Sequence, residues 1–380
     1  MPWTKLDSHG TKSGDLNVKL IIQPTDGVAP LLSAIKNAKK SVDIAIFRFD
    51  RDDIESALKS AACKGVKVNA LIANVNRGGE QNLRALETRF LEAGIIVART
   101  ADELIRYHDK YMIIDRKNLY VLSFNFTHLD IDHSRGFGIV TRNTKMVQES
   151  VKLFEADCTR RPYTPGLATF VVSPANSRKV LGTFLKRAKK QLLIYDPEVS
   201  DKEMIRILQD RMKSGVEVRI IGRITKRANL PAVKLTKMRL HTRTIIRDHH
   251  QAFVGSQSLR PAELDSRREL GLIVHEGKIV KALNDVFESD WKSTSDAKEP
   301  QETAESRPVV EKKEAEQVAQ VLAKELHPVA ATVKKAVKKV VAKAGEDILV
   351  DDRVKDTVKK VVKKAIKQAI KEAVKRNKKA

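Results

Sequence analysis

Between residues 17 and 291 short apolar runs of strand length alternate with amphipathic stretches of helical period. The spacing predicts a helix over 31–40, a strand over 42–49, a helix over 54–64 and a strand over 66–73, with Gly65 placed to stop the second helix. A helix over 83–92, ended by Gly94, and a strand over 95–98 continue the series. Short strands over 111–114, 119–123 and 137–140 and a helix over 145–158 complete it. Helices interleaved with strands in this order predict an α/β fold. The texture changes near Trp291, beyond which the chain lacks aromatic residues.

The pattern occurs twice. Lys-Arg-Ala-Lys-Lys-Gln-Leu-Leu-Ile-Tyr over 186–195 echoes Lys-Asn-Ala-Lys-Lys-Ser-Val-Asp-Ile-Ala over 36–45, each a helix end running into a strand. Residues 211–220 echo 60–69, both carrying Gly-Val-x-Val, a helix stop followed by a buried strand. The third echo carries chemistry. His108-x-Lys110-x4-Asp115 in the first half meets His241-x-Arg243-x4-Asp248 in the second. Each is followed by an apolar strand and a small polar patch, Leu122-Ser-Phe-Asn-Phe-Thr127 and Gly255-Ser-Gln-Ser258.

In an extended strand residues i and i+2 share a face, so His108 projects with Lys110 and His241 with Arg243. An imidazole beside a fixed cation suits a phosphate ester: the cation neutralises non-bridging oxygens while the imidazole attacks phosphorus or moves a proton. Two such faces meeting across a pseudo-twofold axis supply one histidine as nucleophile and another to protonate the leaving alkoxide and then activate the acceptor. The Lys/Arg pair supplies the positive charge that metals would otherwise provide, so no metal and no cofactor is expected. Asp248-His249-His250 is not expected to bind metal, because adjacent residues in a strand-end loop do not converge. Asp43 and Asp196, in strand-like segments, are either supporting groups for the site or polar strand ends.

Paired motifs of this kind, set in duplicated α/β halves, resemble the phospholipase D superfamily, with bacterial cardiolipin synthase and phospholipase D-like proteins most similar. The resemblance covers residues 17–291. It implies two mixed-sheet αβα halves packed about a pseudo-twofold axis with the site between them, and a phosphohistidine intermediate. The catalytic set it implies is His108, Lys110, Asp115, His241, Arg243 and Asp248, the aspartates serving as structural partners within their motifs. Ser123, Asn125, Ser256, Ser258 and Glu269 form the supporting, substrate-binding set. The halves depart from the family pattern differently. Arg243 replaces lysine, Leu122 replaces glycine, Ser258 replaces asparagine, and Gly136 stands where the second half has Glu269. Altered or impaired activity is expected from these changes, with His108 as nucleophile and His241, backed by Glu269, as general acid and base.

The chain of 380 residues carries 72 Lys+Arg against 48 Asp+Glu, a formal charge of +24. Two cysteines, Cys63 and Cys158, make no disulfide framework, and a cytoplasmic setting is expected. No apolar run is long enough to span a membrane or to serve as a signal peptide. The organisation expected is a flexible N-terminus over 1–16, a first half over 17–160, a second half over 161–293, an acidic linker over 294–327 and a basic tail over 328–380. In the tail, Val and Ile recur at three- and four-residue spacing with lysines on the other face, the pattern of basic amphipathic helices. An anionic phospholipid surface is the expected partner, and nucleic acid is an alternative. The whole is expected to be a monomer holding an intramolecular pseudo-dimer, bound peripherally to the inner face of the membrane. Three functions follow: a phosphatidyltransferase or phospholipase D on phospholipid, a metal-independent nuclease, and a catalytically impaired binder of phosphate esters or membranes.

Overall fold

In the computed structural model residues 18–74, 80–225 and 228–295 are described. The chain divides into two units, Met1–Pro300 and Gln301–Ala380, and every described residue belongs to the first. The N-terminal segment, the basic tail and all but the first residues of the acidic linker lie outside the described residues.

The first half runs β1 (Lys19–Gln23), α1 (Ala29–Lys36), β2 (Ser41–Ile46), α2 (Asp52–Cys63), β3 (Lys67–Ile72), α3 (Glu80–Glu92), β4 (Ile96–Arg99), β5 (Arg106–Tyr107), β6 (Tyr111–Ile114), β7 (Asn118–Leu122), α4 (His128–Asp132), β8 (Ser134–Thr141) and α5 (Thr144–Cys158). The second repeats it as β9 (Phe170–Ser173), α6 (Ser177–Lys186), β10 (Gln191–Val199), α7 (Lys202–Lys213), β11 (Glu217–Ile224), β12 (Ala232–Val233), β13 (Arg239–Leu240), β14 (Arg243–Arg247), β15 (Gln251–Gly255), α8 (Pro261–Asp265), β16 (Arg267–Val274) and α9 (Gly277–Ser295). The echoes in sequence are echoes in structure. Gly65 and Gly215 take φ of +83° and +85°, a left-handed turn that ends α2 and α7 and that glycine adopts without cost. Val66 and Val216 then donate back to Ala61 and Arg211 carbonyls as the chain enters β3 and β11.

The first sheet has the order β1-β8-β7-β6-β2-β3-β4 and the second β12-β11-β10-β14-β15-β16 with β9 beside β16. In each, parallel strands linked by helices adjoin an antiparallel meander that carries the histidine motif. Two short strands cross between halves. β5 pairs with β16, and β13 pairs with β8.

Each half buries its own apolar layer beneath its helices. A further layer belongs to both: Tyr111, Phe137 and Phe154 pack in one cluster with Phe170, Tyr195 and Phe287. Phe137 and Tyr195, from opposite halves, meet edge to face with centroids 5.5 Å apart. A fully buried ring of this size contributes about 1.5–3 kcal/mol, so six shared across the interface make the halves a single body rather than two hinged domains. Reciprocal ion pairs close the same interface. Arg268 of β16 pairs with Asp157 of α5 at 2.9 Å, and Arg135 of β8 with Asp290 of α9 at 2.8 Å.

Candidate active site

The crossed strands bring the two motifs together. The His108 amide donates to the Arg268 carbonyl at 2.8 Å, and the His241 and Thr242 amides donate to the Arg135 carbonyl at 3.1 and 2.9 Å. Each histidine is therefore suspended from the opposite half. Both are buried, as are Lys110 and Arg243. Lys110 Nζ donates to the His108 carbonyl, and Arg243 to the His241 carbonyl at 2.6 Å, so each cation folds back beside its own imidazole. Phe47 stands edge-on to His108, with centroids 4.5 Å apart, and walls that side of the site.

The histidines differ in what holds them. His108 Nδ1 lies 2.8 Å from Glu269 Oε2, and Glu269 is completely buried. This corrects the expectation that Glu269 backs His241. The reason is the β5–β16 pairing, which delivers the start of β16 to the first half's motif. The matching position beside His241 is Gly136, and His241 Nδ1 is buried without a hydrogen-bond partner. A Cβ on Gly136 would meet the Phe124 ring at 2.9 Å, so Phe124 has taken the space a glutamate side chain would need. His241 instead has Asp130 at its other nitrogen, Nε2 to Oδ2 3.4 Å.

Asp130 was not foreseen. It sits on α4, accepts from the Asn125 amide at 2.9 Å and its Nδ2 at 2.6 Å, and forms an ion pair with Arg239. Glu263 on α8 does the same for the second half, accepting from the Ser258 amide at 2.7 Å and Arg267 at 2.9 Å. A signal for both was present: a carboxylate five residues after Asn125 and after Ser258.

Ser258 Oγ accepts from Arg243 Nε at 3.2 Å. The two departures in the second motif thus touch: a short serine where asparagine is usual leaves room for the larger guanidinium and orients it. Ser123 and Ser256 hold backbone. Ser123 Oγ accepts from the Phe137 amide at 2.8 Å and Ser256 Oγ from the Leu270 amide at 3.2 Å, locking the end of each meander. Asp196 accepts from the Leu259 amide at 2.7 Å and so anchors the loop beyond Ser258, while Asp43 accepts from the Asn69 side chain.

Asp115 and Asp248, grouped above with the catalytic set, lie at the far ends of β6 and β14 and do not reach the histidines. Asp115 accepts from the amides of Lys39, Lys40 and Ser41, and Asp248 from those of Lys189, Lys190 and Gln191. Their own backbones are left-handed, φ +55° and +53°. Burial works to raise both carboxyl pKa values, but the amide donors outweigh it and hold them below the usual range. A depressed folded pKa means that this stabilisation is present above about pH 4 and is lost as pH falls through the folded value. Asp115→Ala and Asp248→Ala are each expected to cost about 1–3 kcal/mol by leaving amides unpaired, measured by urea unfolding, with any turnover per folded molecule unchanged.

Electrostatics of the site follow from burial. Burial pushes His108 well below its ordinary range, and Lys110 and Arg243 add to the effect. Burial does the same to His241, against the pull of Asp130. Lys110 is brought down to about 7 by burial, although Glu269 opposes this. Glu269 is pushed up to about 8 by burial and by Glu263, against Lys110. A phosphate anion entering the site would favour the charged form of every cation there.

A family model described as cardiolipin synthase, PLD-like domain, matches residues 31–158 and 181–291. The chain belongs to the phospholipase D-like family. No curated protein matches this family member by sequence. Among solved structures it is similar to the polyphosphate kinase of Porphyromonas gingivalis, with 20% identity and TM-score 0.61 over 72% of this chain and 47% of that one. The chain thus spans about half the length of that kinase. It is also similar to the phosphatidylserine synthase of Haemophilus influenzae Rd KW20, with 12% identity and TM-score 0.56 over 83% and 93% of the two chains. Nuc, a phospholipase D family member from Salmonella typhimurium, matches 39% of this chain across 99% of its own length, with 26% identity and TM-score 0.36. The first two likenesses bear on the fold: this phospholipase D-like chain shares the architecture of both proteins at low identity.

Proposed function

We propose that the protein is a phosphodiesterase and phosphatidyltransferase that acts on phospholipid phosphodiesters through a phosphohistidine on His108. The observation that carries this reading is the unequal mounting of two buried histidines. His108 is held at Nδ1 by Glu269, which leaves the Nε2 lone pair for attack, whereas His241 has a carboxylate at Nε2, which favours a proton there. In the first step His108 Nε2 bonds to phosphorus, and the bond from phosphorus to the leaving oxygen breaks. That oxygen takes the electron pair and a proton from Nε2 of His241, which the entering phosphate anion, together with Asp130, brings to its imidazolium form and which is left neutral. In the second step water or an alcohol gives its proton to His241 and bonds to phosphorus as the P–N bond breaks. Lys110 and Arg243 hold the non-bridging oxygens through both steps.

The preference for lipid rests on the family description and on the sequence of the tail, which would serve as an electrostatic anchor to an anionic membrane at the cytoplasmic face. Among the described residues no helix is long and apolar enough to cross a membrane. Deleting 328–380 is expected to weaken vesicle binding while turnover of a soluble diester persists. The substrate class is tested by incubating the full chain with phosphatidylglycerol vesicles and, separately, with plasmid DNA in chelator. Lipid turnover that is lost in His108→Ala supports the reading. Cleavage of DNA alone moves the substrate to nucleic acid, and inactivity on both reduces the protein to a binder of phosphate esters.

The pH profile has a definite sign. A lysine with a depressed pKa is charged below that value and neutral above it, so kcat/KM is expected to fall above about pH 7 as Lys110 loses its proton. On the acid side the limb belongs to Glu269, pushed up to about 8 by burial. It must be ionised to accept from His108 Nδ1–H, so kcat/KM also falls as pH drops below that value and the profile is a bell. Lys110→Arg should remove the alkaline limb. A profile whose alkaline limb persists in that variant rules out Lys110 as its origin.

A further inference from the structure

At the end of β14 opposite Arg243, the end of α6, the end of α7 and the β14–β15 turn border an open surface cavity of about 470 Å³. It is lined by Lys186, Arg187, Lys189, Arg211, Arg247 and His250. Asp248 also lines it, but that carboxylate is occupied by the amides of Lys189, Lys190 and Gln191. An adjoining cavity of about 410 Å³ shares Arg187 and Arg247 and extends to Lys179 and His275.

Lys186, Arg187 and Lys189 are exposed at the rim, while Arg211 and Arg247 are half-buried. Arg247 is pinned: it donates to the Phe184 carbonyl at 2.8 Å and to Gln251 Oε1, and its guanidinium lies 4.3 Å from the Phe184 ring centroid. Burial lowers its pKa, although Asp248 opposes this, and the neighbouring Arg187 lowers it further. Among the described residues, the side chains of Lys186, Arg187, Lys189 and Arg211 have no carboxylate partner. Like charges gathered in one concavity repel, and the one carboxylate there, Asp248, offsets only part of that repulsion, which an anion would relieve further.

The internal repeat supplies a comparison within the same molecule. The matching positions of the first half are Lys36, Asn37, Lys39, Ser60, Ile114 and Lys117. Three cations there become five and a histidine in the second half, and the added ones are the guanidinium groups of Arg187, Arg211 and Arg247. The turn itself needs none of them, because Asp115 organises the first-half turn through the same three amides without them. Guanidinium is the side chain that grips phosphate oxygens in pairs, and the volume is in the range of small-ligand sites.

We propose that this cavity is an accessory anion site, separate from the histidine pair, that takes a phosphate-bearing group of at least two negative charges. Such a group is carried either by a free oligophosphate or by a lipid headgroup. The test is calorimetric titration of the full chain with tripolyphosphate and with a soluble short-chain phosphatidic acid, comparing two variants of equal charge change. Arg187→Glu/Arg211→Glu reverses two charges in the cavity, and Lys36→Glu/Lys39→Glu reverses two at the mirror position. The cavity variant is expected to bind about tenfold or more weakly, and the mirror variant within about twofold of the unaltered chain. The milder Arg187→Gln/Arg211→Gln, checked for an unchanged melting transition, should show the same loss and guards against misfolding. Whichever probe binds more tightly and is lost on substitution names the source of the phosphate. Equal losses in the cavity and mirror variants, no loss in either, or no binding of either probe would overturn the proposal.

Discussion

His108→Ala is expected to lower turnover by about 10⁴-fold or more, because it removes the atom that bonds to phosphorus and no second path replaces a nucleophile. Glu269→Gln is the sharper variant. It keeps the size of the buried side chain, but an amide nitrogen at the Nδ1 contact favours the tautomer that protonates Nε2, the nitrogen that must attack. Loss of the tautomer-setting carboxylate in a comparable arrangement costs about 10³–10⁴-fold, and a fall of that order is expected in single-turnover measurements with folding unchanged. A Glu269→Gln enzyme within tenfold of the unaltered protein would mean that the pair does not set the nucleophile.

His241→Ala should instead show a dependence on the leaving group. With an alkyl diester the departing alkoxide is strongly basic and needs a proton, so loss of the general acid is expected to cost about 10²–10⁴-fold. With a p-nitrophenyl diester the leaving phenolate is stable without one, and formation of the phosphoryl-enzyme should be slowed by less than about tenfold. Asp130→Asn is expected to follow the same pattern more weakly, since Asp130 acts by favouring the proton on His241 Nε2. Equal losses on both esters would remove His241 from the proton-transfer role. The orphaned Nδ1 beside Gly136 predicts where the protein is weakest: in the unaltered chain, proton transfer through His241 rather than attack by His108 should limit turnover of alkyl esters.

The duplicated α/β halves and the His-x-cation pairs were legible because they are local: the i, i+2 spacing and the Gly-Val-x-Val stops sit within single strands and turns. What crosses the pseudo-twofold axis was not. Glu269 looked like the partner of His241 because both lie in the second half, and only the β5–β16 pairing, two residues long, shows that it serves His108. The ion pairs of Arg135 with Asp290 and Arg268 with Asp157 were missed for the same reason, although Phe-Glu-x-Asp occurs at both 154–157 and 287–290 and marks the repeated helix end. The first helix was expected to reach residue 40 but stops at Lys36, because Asp115 draws the following amides out of helical geometry. Apolar periodicity does not record a capture by a carboxylate 75 residues away.

The central claim is that the two histidines are chemically unequal. It is tested most directly by mixing the protein with a p-nitrophenyl phosphodiester, quenching under conditions that preserve phosphohistidine, and locating the phosphoryl group by peptide mass spectrometry. Phosphate on His108, accumulating further in His241→Ala and absent from His108→Ala, is the expected result. Phosphate on His241, or a covalent intermediate that persists in His108→Ala, would contradict it.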